Sequence, residues 1–169
     1  MPTALPRKLA MSHDARFAAL GLVVPARPAM PTGGHLPFEW VQVVGERCIS
    51  SGHGALGPDG RSLGPFGKVP SQVSIEEARQ SAHHAAVALL AAFREALGTL
   101  DRVRQFLIVN ALVNADDGFG EMSAVVNPIS DLFVEVFGAA GAHARTSVGV
   151  TALPMNLPVA VSAEVLVTS

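Results

Sequence analysis

Apolar and polar residues along the 169-residue chain follow two different spacings, which predict both helices and strands. Over residues 74–97, apolar side chains recur every three or four positions, as they do on the buried face of a helix. Ser74 and Glu77 form a capping-box pattern at the start, and Gly98 follows the last helical position. Residues 121–137 repeat the helical spacing, so the sequence predicts two long helices.

Shorter apolar runs, bounded by glycine and proline, predict strands and turns around these helices. A short helix over residues 12–20 and a proline-rich arm over residues 25–34 precede them. The strands are expected at 38–44, 47–51, 104–115, 147–153 and 159–167. This order, ββαβαββ, favours an α+β fold in which both long helices pack on one face of a single mixed sheet. The other face would stay apolar and exposed unless another subunit covers it.

The length of the chain is typical of one compact domain. We expect an N-terminal tail at residues 1–15 and a single domain at residues 16–169. Hydrophobic residues make up 49% of the chain and charged residues only 15%, which excludes a disordered protein and favours burial against another subunit.

Charge and cysteine content narrow the possible partners. A net charge of −2 provides no broad basic face, so nucleic acid is not expected as a partner. Cys48 is the single cysteine, which excludes an intrachain disulfide and fits the cytoplasm. We find no apolar run of the roughly 20 residues needed to span a bilayer, so no membrane partner is expected.

Motifs for common cofactors are missing from the sequence. There is no phosphate-binding loop, dinucleotide glycine motif or nucleophile elbow. His83 and His84 are neighbours on a predicted helix and point in different directions, so they are not a metal pair. We therefore predict no metal and no cofactor.

Several segments, taken in order, resemble the RidA/YjgF family of imine and enamine deaminases. Residues 49–53, ISSGH, resemble the strand-ending Ser-Gly-Gln motif of that family. Residues 73–78 resemble the start of its first long helix, and residues 126–137 resemble its second. The most specific match is residues 144–150, ARTSVGV, followed by Leu153-Pro154 and a final strand. The resemblance covers roughly residues 16–167 and is closest to a longer, endoribonuclease-like subgroup.

The resemblance implies a fold, an assembly and a chemistry. The fold would be chorismate-mutase-like, and the assembly a homotrimer with ligand clefts at the subunit junctions. Well-studied members hydrolyse reactive 2-imino or enamine acids to 2-keto acids and ammonia, whereas others are described as RNA-cleaving. The Arg145 position would hold the carboxylate of a small ligand.

Four further positions are candidates for ligand binding beside Arg145. A guanidinium matches a carboxylate in bidentate fashion, although an arginine in an ordinary surface ion pair fits the residues alone. Ser51 and Gly52 end a strand, where a hydroxyl and free backbone amides can bind an oxyanion or merely form a turn. Asn127, near a helix start, can face the same cleft or solvent. Ser147 occupies the place where many family members have cysteine.

One departure from the family leaves the activation of water open. Active deaminases of the family carry a glutamate in the last strand, and the matching position here is Ala160, whose methyl group cannot deprotonate water. Glu164 lies four residues further on, about 13 Å along a strand. His53, in the cleft loop, and His35, which stands where the family commonly has a tyrosine, are alternative bases, and His35 is also a candidate for substrate binding. Both also fit polar loop histidines.

Three functions follow from these observations. The first is a deaminase-like hydrolase that grips 2-imino acids through Arg145 and activates water through His53 or a group of the adjacent subunit. The second is a non-catalytic trimeric binder of small carboxylates or keto acids, which Ala160 favours. The third is RNA cleavage, against which the missing basic stripe and missing tyrosines count.

Overall fold

The computed structural model describes residues 11–29, 34 and 36–169. Three helices and five strands follow one another in the described part of the chain, apart from short 3₁₀ turns. They are α1 (His13–Ala19), β1 (Val41–Val44), β2 (Arg47–Ser50), α2 (Ile75–Leu97), β3 (Val103–Asn114), α3 (Met122–Phe137), β4 (Ala144–Val150) and β5 (Val159–Val167). The predicted order ββαβαββ is confirmed. His35 lies outside the described residues, so its predicted role stays untested.

The ends of the helices follow from the local residues. The Ser74 hydroxyl accepts a hydrogen bond from the Glu77 amide, and the Glu77 carboxylate accepts from the Ser74 amide, as the capping box predicts. Gly98 ends α2 with φ of 80°, a backbone conformation that glycine adopts without strain. Ser12 caps α1, which begins at His13; the boundary predicted between residues 15 and 16 stays a prediction.

The five strands form one mixed sheet in the order β1-β2-β5-β3-β4. The pairs β1–β2, β2–β5 and β5–β3 are antiparallel, and β3–β4 is parallel. Helix α3 makes the crossover that the parallel pair requires. Strand β4 begins at Ala144, three residues before the predicted start at Ser147, because its pairing with β3 already starts opposite Ile108. Arg145 and Ser147 therefore both lie inside this edge strand.

Helices α2 and α3 cover one face of the sheet, and the core lies between them and the strands. Val109, Ala111 and Val113 of β3 point into this layer and are fully buried, as are the large side chains Phe93 and Phe133 of the two helices. The prediction that both long helices pack on one face is confirmed.

The other side of the sheet, called here the helix-free face, carries alternate residues of every strand. Its apolar members are partly exposed in the protomer: Val44 (59%), Ile49 (37%), Ile108 (37%) and Val148 (40%). Arg47 and Glu164 form an ion pair on the same face, with Nε and Oε1 2.6 Å apart. This half-exposed apolar surface agrees with the expectation from the sequence pattern.

Helix α3 corrects one statement made from the sequence. Met122–Gly141 is a 20-residue stretch long and apolar enough to cross a membrane by length and composition, whereas no such run was expected. In the fold, Val125, Ile129 and Phe133 of this stretch are buried in the core. A helix that packs in a protein core passes the same test of length and composition, and its packing here is that of a core helix.

Candidate functional site

Arg145 lies on edge strand β4 and extends along helix α3. Its Nη1 donates to the hydroxyl of Ser130 and its Nη2 to Oδ1 of Asn127, both at 2.9 Å. Asn127 and Ser130 are three residues apart and so lie on the same face of α3. Two neutral acceptors therefore hold the guanidinium from the helix side. The structure brings together two of the predicted ligand-binding residues, Arg145 and Asn127.

The charge of Arg145 has no acidic partner within the part of the chain that the structure describes. Ion pairs there involve other arginines, and none joins a carboxylate to Arg145. A guanidinium has five N–H donors, and the contacts with Asn127 and Ser130 use two of them. Donors therefore remain for an anion that approaches from the open side.

On the open side of Arg145 lies a cleft of about 510 Å³ between α3 and edge strand β4. Its lining is mostly small and polar and contains no carboxylate; it consists of Ser123, Ser130, Val134, Ala142, His143, Arg145 and Ser147. Ser147 is two residues beyond Arg145 and thus on the same face of β4. The predicted proximity of Ser147 to Arg145 agrees with this lining.

His143 and Ser130 belong to the same cleft and were not among the residues singled out in the sequence. The His143 Nε2 lies 2.9 Å from the Ser130 hydroxyl oxygen, and its Nδ1 lies 2.6 Å from the Gly141 carbonyl oxygen. Because a carbonyl oxygen only accepts, Nδ1 carries the proton of the neutral ring and Nε2 accepts from Ser130. Two spacings in the sequence could have indicated these residues. Ser130 is three residues after Asn127, and His143 is two residues before Arg145.

Gly141 allows this arrangement because the backbone passes very close to α3. A Cβ at position 141 would lie 2.2 Å from the carbonyl oxygen of Phe133, so only glycine fits there. The turn that follows α3 then delivers His143 next to Ser130. The ring of His143 also packs against Phe133, with ring centroids 5.9 Å apart at an interplanar angle of 69°.

Ser51 and Gly52 lie elsewhere in the protomer. They follow β2, which is three strands away from β4 in the sheet, a separation of about 14 Å. The Ser51 amide donates to the Trp40 carbonyl at 2.9 Å, and its hydroxyl donates to the Glu39 carbonyl at 2.7 Å. The expectation of a free amide at Ser51 is therefore wrong. Within one subunit these two residues do not meet Arg145.

His53 is buried, in contrast to the loop position open to a cleft that was expected. Only 2% of its surface is exposed, and its Nδ1 lies 2.9 Å from the Ser51 carbonyl oxygen. Burial lowers the pKa of His53 below its usual value, and the hydrogen bond to Ser51 opposes that shift only in part. Its Nε2 is buried without a hydrogen-bond partner among the described residues. The catalytic role of His53 stays a prediction.

The helix-free face carries Ala160 and Glu164. Ala160 pairs with Leu112 of β3 and so points away from Arg145, which lies on the helix side of the sheet. Glu164 accepts a hydrogen bond from Arg47 at 2.6 Å. That hydrogen bond lowers the pKa of Glu164, against a smaller opposing effect of burial. Glu164 is thus an ionised partner of Arg47 and is not placed to replace the missing glutamate.

Comparison with known proteins identifies the family. The model of the family described as "YjgF/chorismate_mutase-like, putative endoribonuclease" matches residues 14–164. Protein TCP17 of Trypanosoma cruzi is 38% identical over 100 residues, which are 59% of this chain and 62% of that protein. The chain thus matches less than two thirds of the length of that relative.

Solved structures with the same fold agree with the family model. The protein Atu1372 of Agrobacterium tumefaciens, of unknown function, is 28% identical, with a TM-score of 0.77 over 92% of this chain and 91% of its own. A putative endoribonuclease of Shewanella oneidensis is 23% identical, with a TM-score of 0.83 over 93% of this chain and 100% of its own. The latter likeness shows the chorismate-mutase-like fold alone. The predicted resemblance and fold class are confirmed, and the chain belongs to the YjgF/chorismate mutase-like family.

Proposed function

We propose that the protein is a hydrolase that deaminates small 2-imino or enamine acids, with the ligand carboxylate held by Arg145. One observation carries the proposal. Arg145 is half-buried, is held by the neutral oxygens of Asn127 and Ser130, and has no acidic partner among the described residues. A guanidinium in this setting favours an anionic ligand, because a carboxylate can accept two of its unused N–H groups at once.

The reaction follows from where the carboxylate would sit. With the carboxylate on Arg145, the carbon of the adjacent C=N bond lies in the cleft beside Ser130 and Ser147. Water adds its oxygen to that carbon, the nitrogen takes up protons, and the C–N bond breaks to release ammonia. The products are a 2-keto acid and ammonia, and no redox cofactor is required by the balance of atoms and electrons.

A homotrimer is part of the proposal. The helix-free face is lined by half-exposed apolar side chains, and covering them with other copies of the chain removes that surface from water. In such an assembly, Ser51 and Gly52 of one subunit could complete the cleft of the next. We also place the protein in the cytoplasm, because its single cysteine, Cys48, cannot form an intrachain disulfide. Burial raises the pKa of the Cys48 thiol to about 11, so the thiol stays protonated and unreactive.

The test measures ammonia release from an imine generated in situ by an amino-acid oxidase. Wild type should exceed the spontaneous rate, and Arg145→Ala should not. Arg61→Ala is the matched control, because the Arg61 side chain is largely exposed and faces Asp59 in a turn. If wild type and Arg145→Ala both match the rate without protein, the deaminase proposal fails.

The alternative is a non-catalytic trimer that binds small carboxylates or keto acids. Ala160 favours it, since the position that carries a carboxylate in active deaminases carries a methyl group here. Titration with 2-oxobutyrate separates the two functions: saturable, Arg145-dependent binding without turnover supports the binder. The family description also raises RNA cleavage. A net charge of −2 and a cleft lined largely by serines offer few basic side chains for phosphates and few aromatic ones for bases. Metal-controlled nuclease assays with Arg145→Ala would test that activity.

A further inference from the structure

A continuous chain of hydrogen bonds runs from the turn after α3 to the guanidinium of Arg145. His143 Nδ1 donates to the Gly141 carbonyl over 2.6 Å, and the Ser130 hydroxyl donates to His143 Nε2 over 2.9 Å. Arg145 Nη1 then donates to the Ser130 oxygen over 2.9 Å. A histidine oriented by a fixed acceptor on one nitrogen, with a hydroxyl on the other, is the arrangement by which proteins take protons from a reacting group.

The hydroxyl oxygen of Ser130 still has room for one more partner. It has one proton, which His143 accepts, and two lone pairs, one of which accepts from Arg145. The second lone pair is free to accept a hydrogen bond from a water or ligand in the cleft that Ser130 lines. The positive charge of Arg145 beside this oxygen also favours transient negative charge on it.

We propose that Ser130 and His143 form the proton-transfer pair that activates water in place of the missing glutamate at position 160. The inference rests on the proposed deaminase function. Ser130 accepts a proton from the attacking water while its own proton passes to His143 Nε2, and the water oxygen bonds to the imine carbon. The imidazolium returns that proton through Ser130 to the nitrogen, which gives a tetrahedral amino alcohol. The hydroxyl proton of this intermediate then passes through the same pair to the nitrogen as the C=O bond forms and the C–N bond breaks. Ammonia leaves, and the pair ends in its starting state.

The two alternative bases that the sequence suggested and the structure describes do not replace the glutamate at position 160. Glu164 is paired with Arg47 and lies four residues, about 13 Å, beyond position 160 along β5. His53 lies in one row across the sheet with Val161, Ala111 and Ser147, three strand spacings or about 14 Å from the cleft. His143 reaches Arg145 through the single hydroxyl of Ser130.

The variant His143→Gln separates proton transfer from support of Arg145, because it leaves the hydrogen bond between Ser130 and Arg145 in place. In His143→Gln, the amide can still accept from Ser130 and pack in the turn, but it cannot take up a proton. We expect its kcat for imine hydrolysis to fall about 100-fold, while the Kd for 2-oxobutyrate stays at the wild-type value. Ser130→Ala should lose kcat to the same extent. His84→Gln, the same substitution at an exposed position of α2 outside the cleft, should keep wild-type kcat and Kd.

The outcomes distinguish this inference from the proposed function. If wild type turns over and both His143→Gln and Ser130→Ala keep its kcat, the pair does not transfer protons, although the deaminase function stands. If the Kd for 2-oxobutyrate rises in His143→Gln as much as the activity falls, the pair only positions Arg145 and the inference is overturned. If wild type binds 2-oxobutyrate through Arg145 but never turns over, the deaminase function itself fails. Thermal melts of each variant verify that the losses are not due to unfolding.

Discussion

Arg145 and Ala160 lie on opposite faces of the same sheet. Arg145 is in register with Val109 of β3, whose partner on β5 is Ala163, and all three point toward the helices. Ala160, three residues before Ala163, points to the helix-free face. A side chain at position 160 can therefore serve a ligand on Arg145 only across a junction between subunits.

Placing a carboxylate at position 160 should add a base to the site of a neighbouring subunit. We expect Ala160→Glu to raise the rate of imine hydrolysis. The gain should be largest in the His143→Gln background, where it can approach the roughly 100-fold effect of a general base. Ser162→Glu, two residues further on the same strand face, is the control. An Ala160→Glu protein that remains trimeric and gains nothing in either background would contradict this prediction.

The unused donors of Arg145 should determine the affinity for keto acids. A hydrogen-bonded charge pair contributes about 1.5–3 kcal/mol, so Arg145→Ala should weaken 2-oxobutyrate binding by at least about tenfold. Arg145→Lys should recover only part of that loss, because an ammonium group cannot form the bidentate contact. Calorimetric titration measures all three proteins, with Arg61→Ala as the surface control. Equal affinity of Arg145→Ala and wild type would show that the carboxylate binds elsewhere.

The helix-free face should be the contact surface of the trimer. Glutamate at Val148 or Ile108 would place a charge in an apolar junction, and the cost of burying an unpaired carboxylate should dissociate the subunits. Sedimentation velocity would then show a protomer where wild type has three times that mass. Val23→Glu is the control, because Val23 is 70% exposed and precedes the sheet. A wild-type protein that sediments as a protomer would refute the trimer.

Local residues predicted most of the fold. The capping box of Ser74 and Glu77 and the glycine at 98 fix the ends of α2 through contacts within a few residues, which a sequence displays directly. The start of β4 was placed three residues late, because the strand begins where β3 provides a partner at Ile108. The local sequence pattern does not show which distant segment a strand will pair with, so it cannot fix where the strand begins.

The candidate site was predicted only in part, for a similar reason. Arg145 and Asn127 carry the family resemblance, and their contact agrees with it. Ser130 and His143 read as ordinary polar residues until α3 and β4 are packed together, since the close approach at Gly141 sets their distance. His53 was expected in an accessible loop, but it pairs with Val161 and is buried.

The burial of His53 should make the protein less stable in acid. Its pKa is lowered in the folded state, whereas in the unfolded chain it returns to its ordinary value of 6.5. Below pH 6.5 the unfolded chain therefore binds more protons than the folded one, and the free energy of unfolding falls as the pH is lowered toward the folded pKa. Well above pH 6.5, His53 is neutral in both the folded and the unfolded state, so it no longer makes the free energy of unfolding depend on pH.

Replacement of His53 by glutamine isolates this contribution and also tests its predicted catalytic role. Glutamine, the residue that the family motif carries there, can donate to the Ser51 carbonyl but does not titrate. Urea unfolding above pH 6.5 and about one unit below it should show a smaller loss of stability for His53→Gln than for wild type. His84→Gln, at an exposed helix position, should follow wild type. If the free energy of unfolding falls equally with pH in His53→Gln and wild type, burial of His53 does not control acid stability. If His53→Gln loses imine hydrolysis while its Kd for 2-oxobutyrate is unchanged, His53 and not His143 activates water.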